Sequence, residues 1–96
     1  MELDFYIIKR TIIPILRRNG VKTAAIFGSY ARGDYRKRSD VDILIKYRYD
    51  NKTYFDLAGL QIELEERLGK RVHLLTYNSI HPYLKKEILG SKIDIL

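Results

Sequence analysis

The chain of 96 residues contains no cysteine and no tryptophan, and it has only one methionine and two prolines. Without cysteine, neither a disulfide framework nor a thiolate zinc site is possible, and nothing points to an oxidising compartment. No apolar run approaches the ~18 residues of a membrane span, and charged residues interrupt the first ten positions before a secretory signal could form. We therefore expect a cytoplasmic protein that does not contact a membrane.

Positive charge predominates in this chain. Lysine and arginine number 18 against 12 acidic residues, which gives a formal net charge of +6. Such an excess favours anionic partners such as nucleotides, nucleic acid or an acidic protein face, without deciding among them. A chain of this length builds one core, because it buries roughly 60–70% of the surface that it exposes when unfolded. We expect a single domain over residues 1–96.

Periodic apolar residues predict the order helix, strand, turn, strand, helix, strand, helix. A helical stripe runs from Leu3 to Arg18, where Pro14 predicts a kink or an early break. A second stripe, which includes Phe55, runs from Tyr54 to Leu68, with Thr53 as a candidate cap. The segments VKTAAIFG, DVDILIKY and RVHLLTY are typical of strands, YLKKEILG of a short helix, and KIDIL of an apolar tail or short strand. This pattern predicts an α/β (α+β, two-layer) fold with helices on one face of a small mixed sheet and the other face open.

Two aspartates lie at the start of the second predicted strand. Alternation places Val41, Ile43 and Ile45 on one face of the strand and Asp40, Asp42 and Leu44 on the other. Carboxylates at i and i+2 have Cα atoms roughly 7 Å apart, close enough to converge on one or two hard cations of the kind that assist phosphoryl transfer. The alternative is that one aspartate begins the strand and the other is merely solvated.

A glycine–serine turn precedes this pair. Gly28 and Ser29 follow a predicted buried strand and open a short helical turn, where a hydroxyl and backbone N–H groups can bind phosphate. Arg32 lies one turn on, where it pairs with Asp34 or contacts phosphate. The basic residues 36–38 then lead to Ser39 and Asp40; this loop neutralises triphosphate charge, meets an acidic partner or stays solvated.

The pattern Gly28-Ser29-x-Ala31-Arg32-Gly33, followed by Ser39-Asp40-x-Asp42 and an apolar strand, resembles the signature of the minimal nucleotidyltransferase (MNT) family in the DNA polymerase β superfamily. The order of helices and strands matches that family over nearly the whole chain. The resemblance implies a nucleotidyltransferase fold, ATP as the substrate, and Mg²⁺ or Mn²⁺ held by Asp40 and Asp42. It also implies phosphate binding by Gly28 and Ser29, to which we add Arg38 and Ser39.

The sequence departs from the family pattern at the third carboxylate. Family members carry an acidic residue on a later strand, and here His73 occupies that position, on the face predicted for Asp40 and Asp42. Imidazole is a poor ligand for magnesium and suits manganese or zinc better. We therefore treat His73 as a candidate catalytic residue that acts as a cation or a proton carrier, or else as a strand residue that hydrogen-bonds an aspartate.

The resemblance also implies a partner, because a chain this short has no room for a domain that recognises the acceptor. In the MNT family that partner is a helical HEPN protein, and the pair acts as toxin and antitoxin. The implied activity is transfer of AMP to a tyrosine of the HEPN partner. The alternative is a catalytically weak module that neutralises its partner by binding alone. Direct nucleic-acid binding is not expected, since no nucleic-acid motif accompanies the tyrosines.

Overall fold

The computed structural model describes residues 2–96, which form a four-stranded sheet, four α-helices and one 3₁₀ turn at Tyr77–Ser79. No helix in this part of the chain is long and apolar enough to cross a membrane. The elements follow the order α1 (Phe5–Arg18), β1 (Val21–Phe27), α2 (Ser29–Arg32), β2 (Val41–Tyr47), α3 (Tyr54–Leu68), β3 (Val72–Thr76), α4 (Pro82–Ser91) and β4 (Ile93–Asp94).

The sheet is mixed, as predicted, with the strand order β3-β2-β1-β4. Strand β1 pairs antiparallel with β2 and with β4, whereas β2 and β3 run parallel. A parallel pair needs a crossover connection, and α3 provides it. The carboxyl end of β1 therefore lies at the same edge of the sheet as the amino ends of β2, its neighbour, and of β3, one strand further on.

Helices α1 and α3 cover one face of the sheet. Their buried side chains meet the inward residues of the central strands that alternation predicted, namely Val41, Ile43 and Ile45. The helical side of this core consists of Ile8, Ile12, Ile15 and Leu16 from α1 and Leu60, Leu64 and Leu68 from α3. Burial of these branched side chains is the main source of the fold's stability.

The ends of the two long helices follow from local chemistry. The side chain of Asp4 accepts a hydrogen bond from the N–H of Ile7 at 2.8 Å. Thr53 and Asp56 form a reciprocal capping box at the start of α3, so the predicted cap is confirmed. Of the two alternatives predicted at Pro14, a kink or an early break, the break does not occur: α1 is continuous from Phe5 to Arg18, with the buried neighbours Ile12 and Ile15 packed on both sides of the proline.

The second face of the sheet is partly covered, which differs from the expectation that it would be open. Ile80 and Ile88 pack there against Ala25, Phe27 and Leu44. Strands β1 and β2 carry apolar residues on both faces of the sheet, and leaving those of this second face in water would be unfavourable. Helix α4 therefore lies on this face, opposite α1 and α3.

One apolar residue of the predicted α3 stripe lies outside the core. Phe55 is 85% exposed at the first turn of α3, where no strand reaches it. Its position is explained by the helix start, since the stripe begins to contact the sheet only further along the helix at Leu57 and Leu60. The stripe prediction is wrong at this residue.

Replacement of a core leucine in α3 should destabilise the fold strongly. Leu64 is fully buried in the core between α3 and the sheet. We expect Leu64→Ala to lower the free energy of unfolding by about 2–5 kcal/mol, because it leaves a cavity. Ile62→Ala on the same helix, where Ile62 is 56% exposed, is the matched control and should change it by less than about 0.5 kcal/mol. Urea unfolding of both variants measures the difference, and equal losses would contradict this account of the core.

Candidate functional site

A cleft of about 540 Å³ lies on the second face of the sheet, where β1 ends and β2 and β3 begin. Asp42, His73 and Leu75 line it from the strands. One wall is the turn at Gly28 and α2, and the other is α4. The cleft exists because α4 covers only part of this face.

Gly28 is in contact with the carboxylate of Asp42. Its φ of +71° lies in the region that favours glycine. In the β1–β2 ladder Phe27 pairs with Asp42, so the next residue of the chain passes directly over that side chain. A Cβ built on Gly28 would lie 3.0 Å from Cγ of Asp42 and would overlap a carboxylate oxygen. Both the conformation and the close approach require glycine here.

Asp42 is the more enclosed of the two aspartates, with 20% of its side chain exposed. Burial is the main reason that the pKa of Asp42 is raised above its usual value of 3.8. The negative charge of Asp40 acts in the same direction, while contact with His73 and the charge of Arg32 act in the opposite direction. The folded chain thus holds a carboxylate whose ionised form is only partly solvated.

His73 lies beside Asp42. The two residues are Cα partners in the parallel β2–β3 pair, and Nδ1 of His73 is 3.3 Å from Oδ1 of Asp42. The imidazole also lies against the ring of Phe27, with ring centroids 6.2 Å apart, and 57% of its side chain is exposed. The face that alternation predicted for His73 is the face on which it lies.

The remaining candidate residues are divided between the cleft and its surroundings. Ser29, Ser39 and Asp40 line the cleft, as does Arg32, whose Nε also contacts Oδ2 of Asp34 at 3.3 Å. The first N–H groups of α2 have no acceptor within the helix, because the helical hydrogen bonds begin at Ala31. Arg38 is exposed in the loop before β2 and does not line the cleft.

Sequence analysis missed the α4 wall. His81, Leu84 and Glu87 line the cleft, and Nδ1 of His81 accepts a hydrogen bond from the N–H of Tyr83 at the helix start. Periodicity gives this helix a contact face, since residues 84, 87, 88 and 91 fall on one side at i, i+3, i+4 and i+7, but periodicity does not specify which face of the sheet the helix covers.

A larger hollow of about 720 Å³ lies at the other end of β2, where Lys46, Tyr47 and Lys52 contribute to its lining. It contains none of the candidate residues. Within residues 2–96, no cluster of three or more histidine, aspartate or glutamate side chains could hold a metal ion. The smaller cleft contains two carboxylates, an imidazole and a turn with N–H groups that have no acceptor in the helix.

Comparison with known proteins identifies relatives of similar length. A protein of Methanocaldococcus jannaschii that carries the provisional name protein adenylyltransferase is 56% identical over 89 residues, which are 93% of this chain and 95% of that protein. The protein adenylyltransferase MntA of Thermococcus cleftensis is 36% identical over 78 residues, 81% of this chain and 78% of that one.

Solved structures share the fold. A structure provisionally described as a minimal nucleotidyltransferase superposes with a TM-score of 0.81 at 29% identity, covering 96% of both chains. A toxin–antitoxin complex with AMP-PNP gives 0.80 at 24% identity over 92% of this chain and 72% of that one. A complex of a tri-AMPylated Shewanella oneidensis HEPN toxin with its MNT antitoxin gives 0.74 at 22% identity over 95% and 71%.

These likenesses agree with the sequence pattern from which the family was predicted. At 24% and 22% identity the two complexes show the fold alone. The family model described as "Nucleotidyltransferase domain" matches residues 9–95. This match spans both the glycine–serine turn and the two aspartates, and the chain belongs to the nucleotidyltransferase domain family.

Proposed function

We propose that this protein transfers AMP from ATP to a hydroxyl group of a protein acceptor, as a single minimal nucleotidyltransferase domain over residues 1–96. The observation that carries the proposal is the contact between the Gly28 turn and the carboxylate of Asp42. It sets a phosphate-binding turn against a carboxylate pair within one cleft. The relatives named protein adenylyltransferases support AMP as the transferred group and protein as the acceptor. Use of ATP is consistent with a cytoplasmic protein.

Gly28 and Ser29 would bind the β and γ phosphates of ATP. The free N–H groups at the start of α2 and the Ser29 hydroxyl line the cleft, and both suit phosphate oxygens. Arg32 and Ser39 line the same cleft. Arg38 stands outside it, so its contribution would be an attraction on the triphosphate that acts over the ~8–10 Å of a Debye length.

Asp40 and Asp42 fit a divalent metal ion. Burial and a like charge disfavour the ionised form of Asp42, and a bound cation would offset both effects. Two carboxylates are also a usual number for Mg²⁺, which completes its coordination with water and substrate phosphates. When bound there, Mg²⁺ or Mn²⁺ would neutralise charge on the triphosphate.

In the proposed reaction the acceptor hydroxyl attacks the α phosphorus of ATP. The bond between that phosphorus and the bridging oxygen of the β phosphate breaks, and pyrophosphate leaves. Gly28 and Ser29 hold the leaving phosphates, while Asp40 and Asp42 face the reacting end of the nucleotide. The acceptor hydroxyl must also release a proton, and the imidazole of His73, in contact with Asp42, is a group that can take it.

The proposed acceptor is a tyrosine of a HEPN-type helical partner, which would make this protein the antitoxin of a toxin–antitoxin pair. Support comes from the MNT signature, together with a fold shared with an MNT antitoxin bound to an AMPylated HEPN toxin. The acceptor would approach along the α4 wall, where Leu84 both lines the cleft and is half exposed.

A second candidate function is neutralisation of the partner by binding alone. One observation favours it: His73, the strand partner of Asp42, occupies the position at which the family pattern has a third carboxylate. In that case the cleft would bind nucleotide without efficient transfer.

Asp42→Asn distinguishes these two functions. If the protein is a transferase, this variant should lose at least about a hundredfold in AMP transfer, because it removes one of the two carboxylates proposed to hold the metal ion, while complex formation persists. Mass spectrometry of the co-purified partner measures transfer, and a growth assay measures neutralisation. Full neutralisation of the partner by Asp42→Asn would instead favour the binding function.

His73→Asp tests whether the histidine limits the site. A third carboxylate is a better magnesium ligand than imidazole, so we expect faster transfer in magnesium and a smaller change in manganese. Initial rates of native protein and variant in each metal measure this. If His73→Asp raises the initial rate in neither metal, the idea that His73 limits transfer is contradicted.

The environment of Asp42 also predicts a pH dependence of stability. Burial raises its pKa, so the ionised carboxylate destabilises the metal-free fold, whereas well below pH 3.8 the acid is protonated in both states. Asp42→Asn should therefore leave the melting temperature nearly unchanged near pH 3, raise it increasingly between the usual pKa of 3.8 and the raised pKa of the folded state, and raise it by a constant amount above that window.

Melting curves in EDTA between about pH 3 and pH 8 measure this effect. Asp50→Asn, at an exposed position outside the cleft, controls for the loss of one negative charge from a basic protein. A gain for Asp42→Asn that is as large at the acidic end as at neutral pH would contradict the expected sign.

A further inference from the structure

Lys70 contacts the loop that precedes the aspartate pair. It lies between α3 and β3, and its ammonium group donates hydrogen bonds to the carbonyl oxygens of Lys37 at 2.7 Å and Ser39 at 2.9 Å. The Ser39 carbonyl belongs to the peptide bond that joins Ser39 to Asp40. One side chain thus fixes the backbone immediately before the first aspartate.

The same ammonium group lies 5.4 Å from the centroid of the Tyr30 ring, within the range of a cation–π contact. Tyr30 is buried and belongs to α2, directly after Ser29 of the phosphate turn. Lys70 therefore contacts both α2, which follows the turn that would bind phosphate, and the loop that leads to the proposed metal ligands.

The two aspartates depend on this contact to different degrees. Asp42 is inside β2 and is held between β1 and β3 by the paired strands. Asp40 precedes the strand and is exposed. Its backbone is set by the Ser39 turn, in which Ser39 exchanges hydrogen bonds of 3.0 Å and 2.8 Å with the backbone of Arg36, and by the N–H of Val41, which donates to the carbonyl of Arg71.

Electrostatics makes the position of Lys70 informative. The loop that it joins already carries three consecutive cations, residues 36–38, so a fourth positive charge is repelled by them. Two carbonyl acceptors and an aromatic face offset that repulsion. A lysine kept in such surroundings is held by specific contacts rather than by general attraction.

We infer that Lys70 is a positioning residue, which fixes the backbone of Asp40 and so sets the geometry of the carboxylate pair. The inference rests on the proposed function, in which Asp40 and Asp42 hold the metal. Lys70 itself does not line the cleft; it acts through the carbonyl of Ser39 and the ring of Tyr30.

Hydrogen exchange tests the positioning role without any need for activity. In Lys70→Met the amides of Arg36 and Ser39 should exchange about tenfold faster, because the turn that they close loses two charge-assisted hydrogen bonds. Lys52→Met is the matched control: Lys52 also lies over a tyrosine ring, 5.6 Å from the centroid of Tyr47, but away from the cleft. It should leave both amides unchanged.

Metal dependence tests the consequence for the site. Binding of a non-hydrolysable ATP analogue, titrated with Mn²⁺, should require about tenfold more metal for half-saturation in Lys70→Met than in the native protein or in Lys52→Met. Lys70→Arg should restore most of the affinity, since a guanidinium group can donate to both carbonyls and stack on Tyr30. If Lys70→Met fails to fold, Lys70→Gln serves in both measurements.

The outcomes separate the inference from the proposed function. Unchanged exchange of the two amides, or a lowered melting temperature with an unchanged metal requirement, would overturn the positioning role. If the native protein transfers no AMP to its partner while exchange and metal binding behave as expected, the proposed transfer fails and the role of Lys70 stands.

Discussion

The register between β1 and β2 is the constraint on which the site depends. Phe27 pairs with Asp42, and the chain then turns at Gly28 directly over the carboxylate. A slip of one residue would move Asp42 to the opposite face, into the core beneath α1 and α3. The apolar alternation of β2 prevents that slip, because Ile43 and Ile45 would then leave the same core. Core packing and the placement of the carboxylate are thus specified by one pairing.

The strand pairing that forms the cleft also introduces a group that destabilises the fold. The pairing that brings Asp42 to the turn also encloses it beside Asp40, which disfavours its ionised form. Proteins commonly retain such unfavourable groups where the binding of a ligand offsets their cost in folding free energy. The surrounding fold tolerates the aspartate because both large helices pack on the other face, away from the cleft.

Much of the fold followed from sequence because local signals agreed with one another. Alternation in β2 and the cap at Thr53 each have a local physical cause, and the structure contains both. No local signal specifies the face of the sheet on which α4 packs. That face depends on contacts of Ile80 and Ile88 with Phe27 and Leu44, which are distant in sequence. For that reason the α4 wall of the cleft could not be placed, although the strand residues of the site could.

The position of His73 in the sheet has a consequence for how this site can change. Strand β3 is at the edge, so one side of it has no neighbouring strand, and more than half of the imidazole is in water. A different side chain at this position would disturb neither the ladder to β2 nor the core beneath it. Asp42, on a central strand under Gly28, has no such freedom. The chain therefore combines a fixed carboxylate with a neighbour that can be exchanged without refolding the domain.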